Sequence, residues 1–432
     1  MTGLPRICRA SLIRRRRMRP VRAAVRYPKS SWLISWANRL WAAGADAVSA
    51  DGLDVCGIVG EREGIRREVP VEEPSVRRIA IAVRRLSGRG GMETVIRTVI
   101  HTARFARVPT AMEVWCFGPP EQDEWLRDVP HRVVRIDRGP HRRFQLATKL
   151  PCYQGAMRRL VRDYQPDVVV ATDPIFVRAA RTWRNSSSGQ PRVYSWVHFP
   201  LDRLANVRWL GRADGHLAVS RDLARQLAAV DPAHVPTVVG NPLPNTVYPL
   251  LPQPVGVPRL VYIGRIANRQ KRIDLLFSAL SRLRPHAWTL DIVGDGPDRP
   301  MLQRLAAHLR IGHRLTWHGW QPRPWSVLEY GSLLVLTSAF EGFAMVLAEG
   351  LARGLPVLAT DCIAGPRDIV QPGANGWLVR PGRVDPLVDV LKTFWSSGDS
   401  TLSMSAADRQ ADILARFGAP AVWGRIDDAL MI

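Results

Sequence analysis

Short apolar runs alternate with amphipathic helical segments along most of this 432-residue chain, and they do so in two successive series. No other feature constrains the fold as much. The first series comprises Ile79–Val83, Val114–Phe117, Val133–Ile136, Pro166–Ala171, Val193–His198 and Gly215–Ser220. The second comprises Leu260–Ile263, Trp288–Val293, Leu315–Trp317, Leu333–Leu336, Pro356–Ala359 and Gly376–Val379. Runs of this length, mostly without alternating polar residues, suit strands covered on both faces, and helices between them make the strands parallel. A helix is expected from Met92 to about Arg107, and Ser220 is placed to cap another. The expected class is therefore α/β, with two doubly wound domains facing a central cleft. Ligands of such sheets bind beyond the carboxyl ends of the strands.

The boundaries follow from composition. Residues 1–76 form a basic N-terminal extension, 77–241 the first domain, 242–258 a proline-rich linker, 259–405 the second domain, and 406–432 a helical segment. In the extension, Arg14–Arg17 precede Trp32, Leu33, Trp36, Leu40 and Trp41, which fall on one helical face. Three readings fit it: a helix lying on an anionic bilayer, a disordered tail, or translated sequence upstream of the true start. The formal net charge is +23, and lysine contributes only Lys29, Lys149, Lys271 and Lys392. Such a surface favours anionic partners, and a membrane face is expected over nucleic acid, since no recognition helix, zinc knuckle or basic–aromatic stripe is present. The five cysteines, Cys8, Cys56, Cys116, Cys152 and Cys362, include no close pair. That pattern suits a reducing compartment, and no apolar stretch approaches the ~20 residues of a membrane span. A cytoplasmic protein, peripheral to the membrane, is expected.

Four clusters lie at expected strand ends. Gly88-Arg89-Gly90-Gly91-Met92-Glu93 gives a backbone that a phosphate can approach. His198 ends its strand before Phe199-Pro200. Gly264-Arg265 follows another strand, with Lys271-Arg272 opening the next helix, and two such cations can bracket a diphosphate. FEGFAMVLAEG carries Glu341 and Glu349, with Gly342 supplying a turn. A helix spanning both glutamates would set them ~12 Å apart along its axis. Each cluster also has a structural reading: an ordinary tight turn, a bonded core histidine, solvated cations, a solvated helix face. The loop Asp361–Asp368 lines the same cleft or only makes a turn.

The stretch EGFAMVLAEGLARGLPVLATDCIAGPRDIVQPGANGWLV resembles the C-terminal signature of glycosyltransferase family 4, retaining enzymes of the GT-B fold with two Rossmann-like domains. GGMETVIRTVIHT, YSWVHFPLD, VGDGPD, HGWQ and TSAFEGF extend the likeness from about Arg77 to about Asp385, toward the galactosyltransferases of lipopolysaccharide core assembly. The resemblance implies these roles. The backbone of Gly90 and Gly91 meets the diphosphate or the transferring sugar. Arg265 and Lys271 neutralise the diphosphate. Glu349 binds the ribose. Glu341, Gly342, Phe343 and Ala344 hold the sugar hydroxyls. His198 sits over the anomeric centre, and the segment around Trp320 packs near the base. Ala344 stands where glycine or proline is common, Gly350 where alanine is usual, and Arg272 where glycine is frequent. The Arg265–Lys271 interval is one residue longer than usual, so Arg269 competes with Lys271 for the diphosphate.

The family likeness also implies catalysis without a metal or cofactor, with UDP-galactose as donor and a lipid-linked glycan as acceptor. Two other readings stay open here: a nucleotide-sugar epimerase of related fold, and a basic membrane-associated protein with a degenerate site.

Overall fold

The computed structural model describes residues 76–84, 86–87, 90–135, 145–181 and 190–431. The readings made for residues 1–75, for Gly88 and Arg89, and for Ile136 lie outside the described residues.

The first series of apolar runs forms strands β1 (Arg77–Arg84), β2 (Thr110–Phe117), β3 (His131–Val134), β4 (Val168–Ala171), β5 (Arg192–Val197), β6 (Gly215–Ala218) and β7 (Thr237–Val238). They make one sheet in the order β3-β2-β1-β4-β5-β6-β7, with every pairing parallel. The second series forms β8 (Arg259–Ile263), β9 (Thr289–Val293), β10 (Leu315–Gly319), β11 (Leu333–Leu336), β12 (Val357–Thr360) and β13 (Gly376–Val379). Their order is β10-β9-β8-β11-β12-β13, again parallel throughout. The strand order reverses between β1 and β4 in one sheet and between β8 and β11 in the other, so each sheet has a crevice at that point.

The strands are apolar because both faces are covered. In β8, Val261 and Ile263 join the core that runs from the first sheet through the Met345–Leu351 helix, whereas Leu260 and Tyr262 join a second core beneath the other face. That alternation is the two-residue period of a strand, and each fully buried aliphatic side chain contributes about 1.5–3 kcal/mol.

Ser220 caps the Arg221–Val230 helix, its Oγ accepting from Leu223 N at 3.3 Å. The helix after β1 runs Gly91–Ala103, shorter at its end than expected. β3 spans His131–Val134, beginning and ending earlier than the apolar run suggested. β7, only two residues long, has no apolar pattern to announce it.

Residues 239–258 form no helix and no strand beyond a single bridge, Leu243 to Gly418. Ser405 and Asp408 form a reciprocal capping box at the head of Ala406–Phe417, and Ala419–Met431 comes next. This last helix packs on Gly91–Ala103 and β7, with Val422, Trp423 and Ile426 buried. Arg425 Nε donates to Val239 O at 3.0 Å, and Arg77 pairs with Asp427. The end of the chain is thereby fastened to the sheet on which its described part begins. No helix among the described residues is long and apolar enough to cross a membrane.

Candidate active site

The loops that leave β1, β5, β8 and β11 at their carboxyl ends line one cavity of about 2330 Å³ between the two sheets. Gly90, Gly91, His198, Arg265, Lys271, Trp320, Glu341, Gly342, Phe343, Ala344 and Glu349 all line it. The strand-end clusters are brought together because doubly wound sheets deliver their carboxyl ends to the same side.

The structure decides three surrounding points that the sequence left open. Arg269 and Arg272 do not line the cavity; Lys271 and Arg265 do. Arg272 instead sits at φ +47 between two helices and turns its guanidinium onto Asp274, with Nε to Oδ1 at 3.0 Å. Nor does the Asp361–Asp368 loop reach the cavity. Asp368 Oδ2 accepts from Arg221 N at 3.1 Å and Ala364 N donates to Asp222 Oδ2 at 3.1 Å, so this loop joins the second sheet to a helix of the first. The third point concerns Glu341. The helix begins only at Met345, so Glu341 lies in the turn before it, and the axial spacing expected for one continuous helix does not apply.

The turn itself is tightly defined. Glu341 N donates to Ile363 O at 3.2 Å. A Cβ on Gly342 would lie 1.8 Å from the carbonyl oxygen of His198, so the β5 loop rests directly on this glycine. Ala344 adopts φ +66, ψ +56, the left-handed region that costs a non-glycine residue about 1–2 kcal/mol. Ala344→Gly is expected to stabilise the protein by about 0.5–1 kcal/mol, since glycine's freedom in the unfolded chain returns part of that strain. A thermal midpoint equal to or below that of the parent would contradict it.

Glu341 is buried, and its Oε1 accepts from both Lys271 Nζ and Ser338 Oγ, each at 2.6 Å. The element carrying Lys271 is held to the β11 loop from several sides. Ala339 N donates to Gln270 O at 2.7 Å, and Thr337 Oγ1 bonds the carbonyls of Lys271 and Arg272 at 3.0 and 2.9 Å. Thr360 Oγ1 donates to Ser338 O at 2.6 Å. Behind the pair, burial first and the Glu341 charge second push the Cys362 thiol up to about 12, so it stays neutral. The result is a cation and a carboxylate fixed side by side at the rear of the cavity.

Glu349 is positioned by a residue that sequence reasoning missed. Trp325 Nε1 donates to Glu349 Oε2 at 2.8 Å. Arg353 stacks on the Trp325 ring at 4.4 Å and on the Tyr248 ring at 5.0 Å. Trp325 lies 24 positions from its partner, in a proline-rich loop with no periodic signal. Trp325→Phe keeps the ring but removes the donor. It is expected to raise the KM for a ligand held by Glu349 about tenfold or more with kcat little changed, the loss of one hydrogen bond to a charged group. An unchanged KM would reject the positioning.

His198 is 7% exposed, and its ring lies against that of Trp196, tilted by 55° with the centroids 4.6 Å apart. Burial pulls its pKa down to about 3, so the imidazole is neutral at physiological pH. Its Nε2 has no hydrogen-bond partner among the described residues. The same holds for Trp125 Nε1, Asn241 Oδ1 and Trp423 Nε1, all buried, and all four residues line the cavity. Buried polar atoms are nearly always paired, so four unpaired ones on residues that line one cavity set this region apart. On the first-sheet side, a Cβ on Gly91 would lie 3.6 Å from Met345 Cγ, placing the glycine turn opposite the head of the Met345–Leu351 helix.

Proteins of known family and fold share this architecture. Residues 89–244 match the model of Glycosyltransferase Family 4, and residues 251–411 that of Glycosyl transferases group 1. The lipopolysaccharide 1,6-galactosyltransferase of Escherichia coli (strain K12) is 34% identical over 327 residues, 73% of this chain and 89% of that protein. Its Salmonella typhimurium counterpart is 33% identical over 72% and 88%. The solved apo form of the lipopolysaccharide outer core galactosyltransferase WaaB superposes with a TM-score of 0.71 at 30% identity, covering 82% of this chain and 99% of that one. Anabaena Alr3699/HepE, solved in complex with UDP, gives 0.68 at 18% identity over 82% and 99%, a likeness of fold. The chain belongs to glycosyltransferase family 4 and is a hexosyltransferase of the GT-B fold.

Proposed function

We propose that this enzyme moves galactose from UDP-galactose to a lipopolysaccharide core or related lipid-linked glycan, with retention at the anomeric carbon and without a metal ion. The observation that carries the reading is the buried Lys271–Glu341 pair at the rear of a cavity also lined by Arg265 and Glu349. The names of the Escherichia coli and Salmonella relatives support the sugar and the acceptor.

In this reading the donor diphosphate lies against Arg265 and Lys271, with the Gly90-Gly91 backbone across from it. Glu349 takes the ribose hydroxyls, and the Trp320 segment borders the base. Glu341 and the turn Gly342-Phe343-Ala344 hold the hydroxyls of the transferring sugar. His198, neutral and lacking a partner at Nε2, donates to or accepts from that sugar near its anomeric carbon. As the bond from the anomeric carbon to phosphate oxygen breaks, positive charge grows on the sugar and negative charge on the diphosphate. Lys271 and Arg265 stabilise the second charge where it develops. The acceptor hydroxyl attacks from the face the diphosphate leaves, and its proton passes to the departing phosphate oxygen. The orphaned Trp125, Asn241 and Trp423 on the far wall suit a polyhydroxylated acceptor. The arginine-rich composition suits an anionic membrane surface at the inner face of the inner membrane, where a lipid-linked acceptor is presented.

The test is incubation of the full chain with UDP-galactose and a truncated core lipopolysaccharide, then mass spectrometry and NMR of the product. One added hexose in the α configuration, formed equally in EDTA, is expected. Absence of transfer from every UDP-, GDP- and ADP-linked hexose would overturn the proposal.

A further inference from the structure

A second cluster of metal-ligating side chains lies away from the cavity. His216 is the second residue of β6 and pairs in register with Ser195 of β5. Asp231 closes the Arg221–Val230 helix, which starts beyond the carboxyl end of β6 and returns toward its amino end. His234 lies in the next loop. None of the three lines the active-site cavity.

Their ligand atoms converge. His216 Nε2 and His234 Nδ1 each lie 3.0 Å from Asp231 Oδ2, and the three atoms fall within 4.8 Å of one another. Two imidazoles and one carboxylate are the donors that first-row divalent ions such as zinc accept. His216 and Asp231 are buried, whereas the His234 side chain is 41% exposed, so one side of the cluster is open to solvent. The outer nitrogen of His216, Nδ1, lies 2.7 Å from Ser195 Oγ. A ligating histidine ordinarily has such a partner on its second nitrogen, which holds the ring and sets the tautomer.

We propose that His216, Asp231 and His234 bind one divalent zinc-like ion, which clasps the end of the Arg221–Val230 helix to the sheet. On binding, the two N–H donations to Asp231 Oδ2 give way to nitrogen lone pairs on the cation. The His216 proton then resides on Nδ1, donated to Ser195 Oγ, and the His234 proton on Nε2. Neutral imidazoles need release no proton, and solvent fills the fourth position. The role is structural and separate from glycosyl transfer.

The experiment titrates zinc chloride into EDTA-dialysed full chain without donor, by calorimetry and by thermal midpoint. The parent, His234→Ala and Asp231→Asn are compared. One tight equivalent and a raised midpoint are expected for the parent. His234→Ala, at a half-exposed position that tolerates truncation, should bind zinc at least about tenfold more weakly and lose the midpoint shift. Asp231→Asn should do the same. Zinc binding that is absent in the parent, or as tight in His234→Ala as in the parent, overturns the proposal, because eight of the chain's ten histidines lie outside the cluster and could bind zinc elsewhere. Donor binding measured in EDTA reports on the glycosyltransferase reading independently of either result.

Discussion

Lys271→Ala is expected to lower kcat by about 10²–10³-fold, equivalent to roughly 2.7–4 kcal/mol of lost charge stabilisation. The side chain is 13% exposed, and its ammonium lies 2.6 Å from Glu341 Oε1. A cation so held has little reorganisation to undergo when a diphosphate develops charge beside it, unlike a solvated surface lysine. The substitution also leaves Glu341 buried with Ser338 as its remaining named donor, so the thermal midpoint should fall as well. Glu341→Ala should lower transfer by a similar factor, because it removes the contact proposed to the transferring sugar and frees Lys271 from its position. The two changes share one interaction, so their effects should fall well short of additive in the double variant. Near-normal turnover in either single variant would reject the site. Full additivity would show that the two residues act separately.

Much of this site is legible in the sequence, for a simple physical reason. Strands buried on both faces carry few charges, so runs such as Leu333–Leu336 stand out, and a parallel sheet sends the loop after each run to the same side. Gly90, His198, Arg265 and Glu341 therefore share an expected location through their place after a strand. The hidden part depends on tertiary contacts. Nothing local separates Lys271 from Arg269, two positions apart on a short basic helix; the bonds from Thr337 and Ala339 decide which one faces inward. Ser338 and Trp325 carry no pattern, because their partners Glu341 and Glu349 select them only once the chain has folded. The head of the Met345–Leu351 helix reads too early in the sequence because Phe343 and Ala344 are apolar and continue the helical pattern. The left-handed backbone at Ala344, which interrupts it, is visible only in the dihedral angles. Arg272 poses the same problem at φ +47, in a position that the family likeness marks as one where glycine is frequent.

Gly342→Ala tests the same turn from the opposite direction, by adding an atom rather than removing one. The new Cβ would lie 1.8 Å from His198 O and 2.9 Å from His198 C, both backbone atoms of another sheet's loop. Neither can rotate away, so the Glu341 turn and the His198 loop must separate by well over an ångström. Overpacking of this kind costs about 1–3 kcal/mol. The larger effect should be on transfer: displacement of about 1 Å in a reacting constellation lowers rates by about 10²-fold, and here both Glu341 and His198 move. Gly350→Ala is the matched control. Its Cβ meets Leu334 Cδ2 at 2.6 Å, the mobile end of a side chain, and alanine is favoured over glycine within a helix by about 1 kcal/mol. That variant should keep its thermal midpoint and its kcat. The contrast isolates the cause, since the same methyl group enters the same short stretch, once against backbone and once against a side chain. Equal activity in the two variants would mean that the contact between Gly342 and His198 does not organise the site.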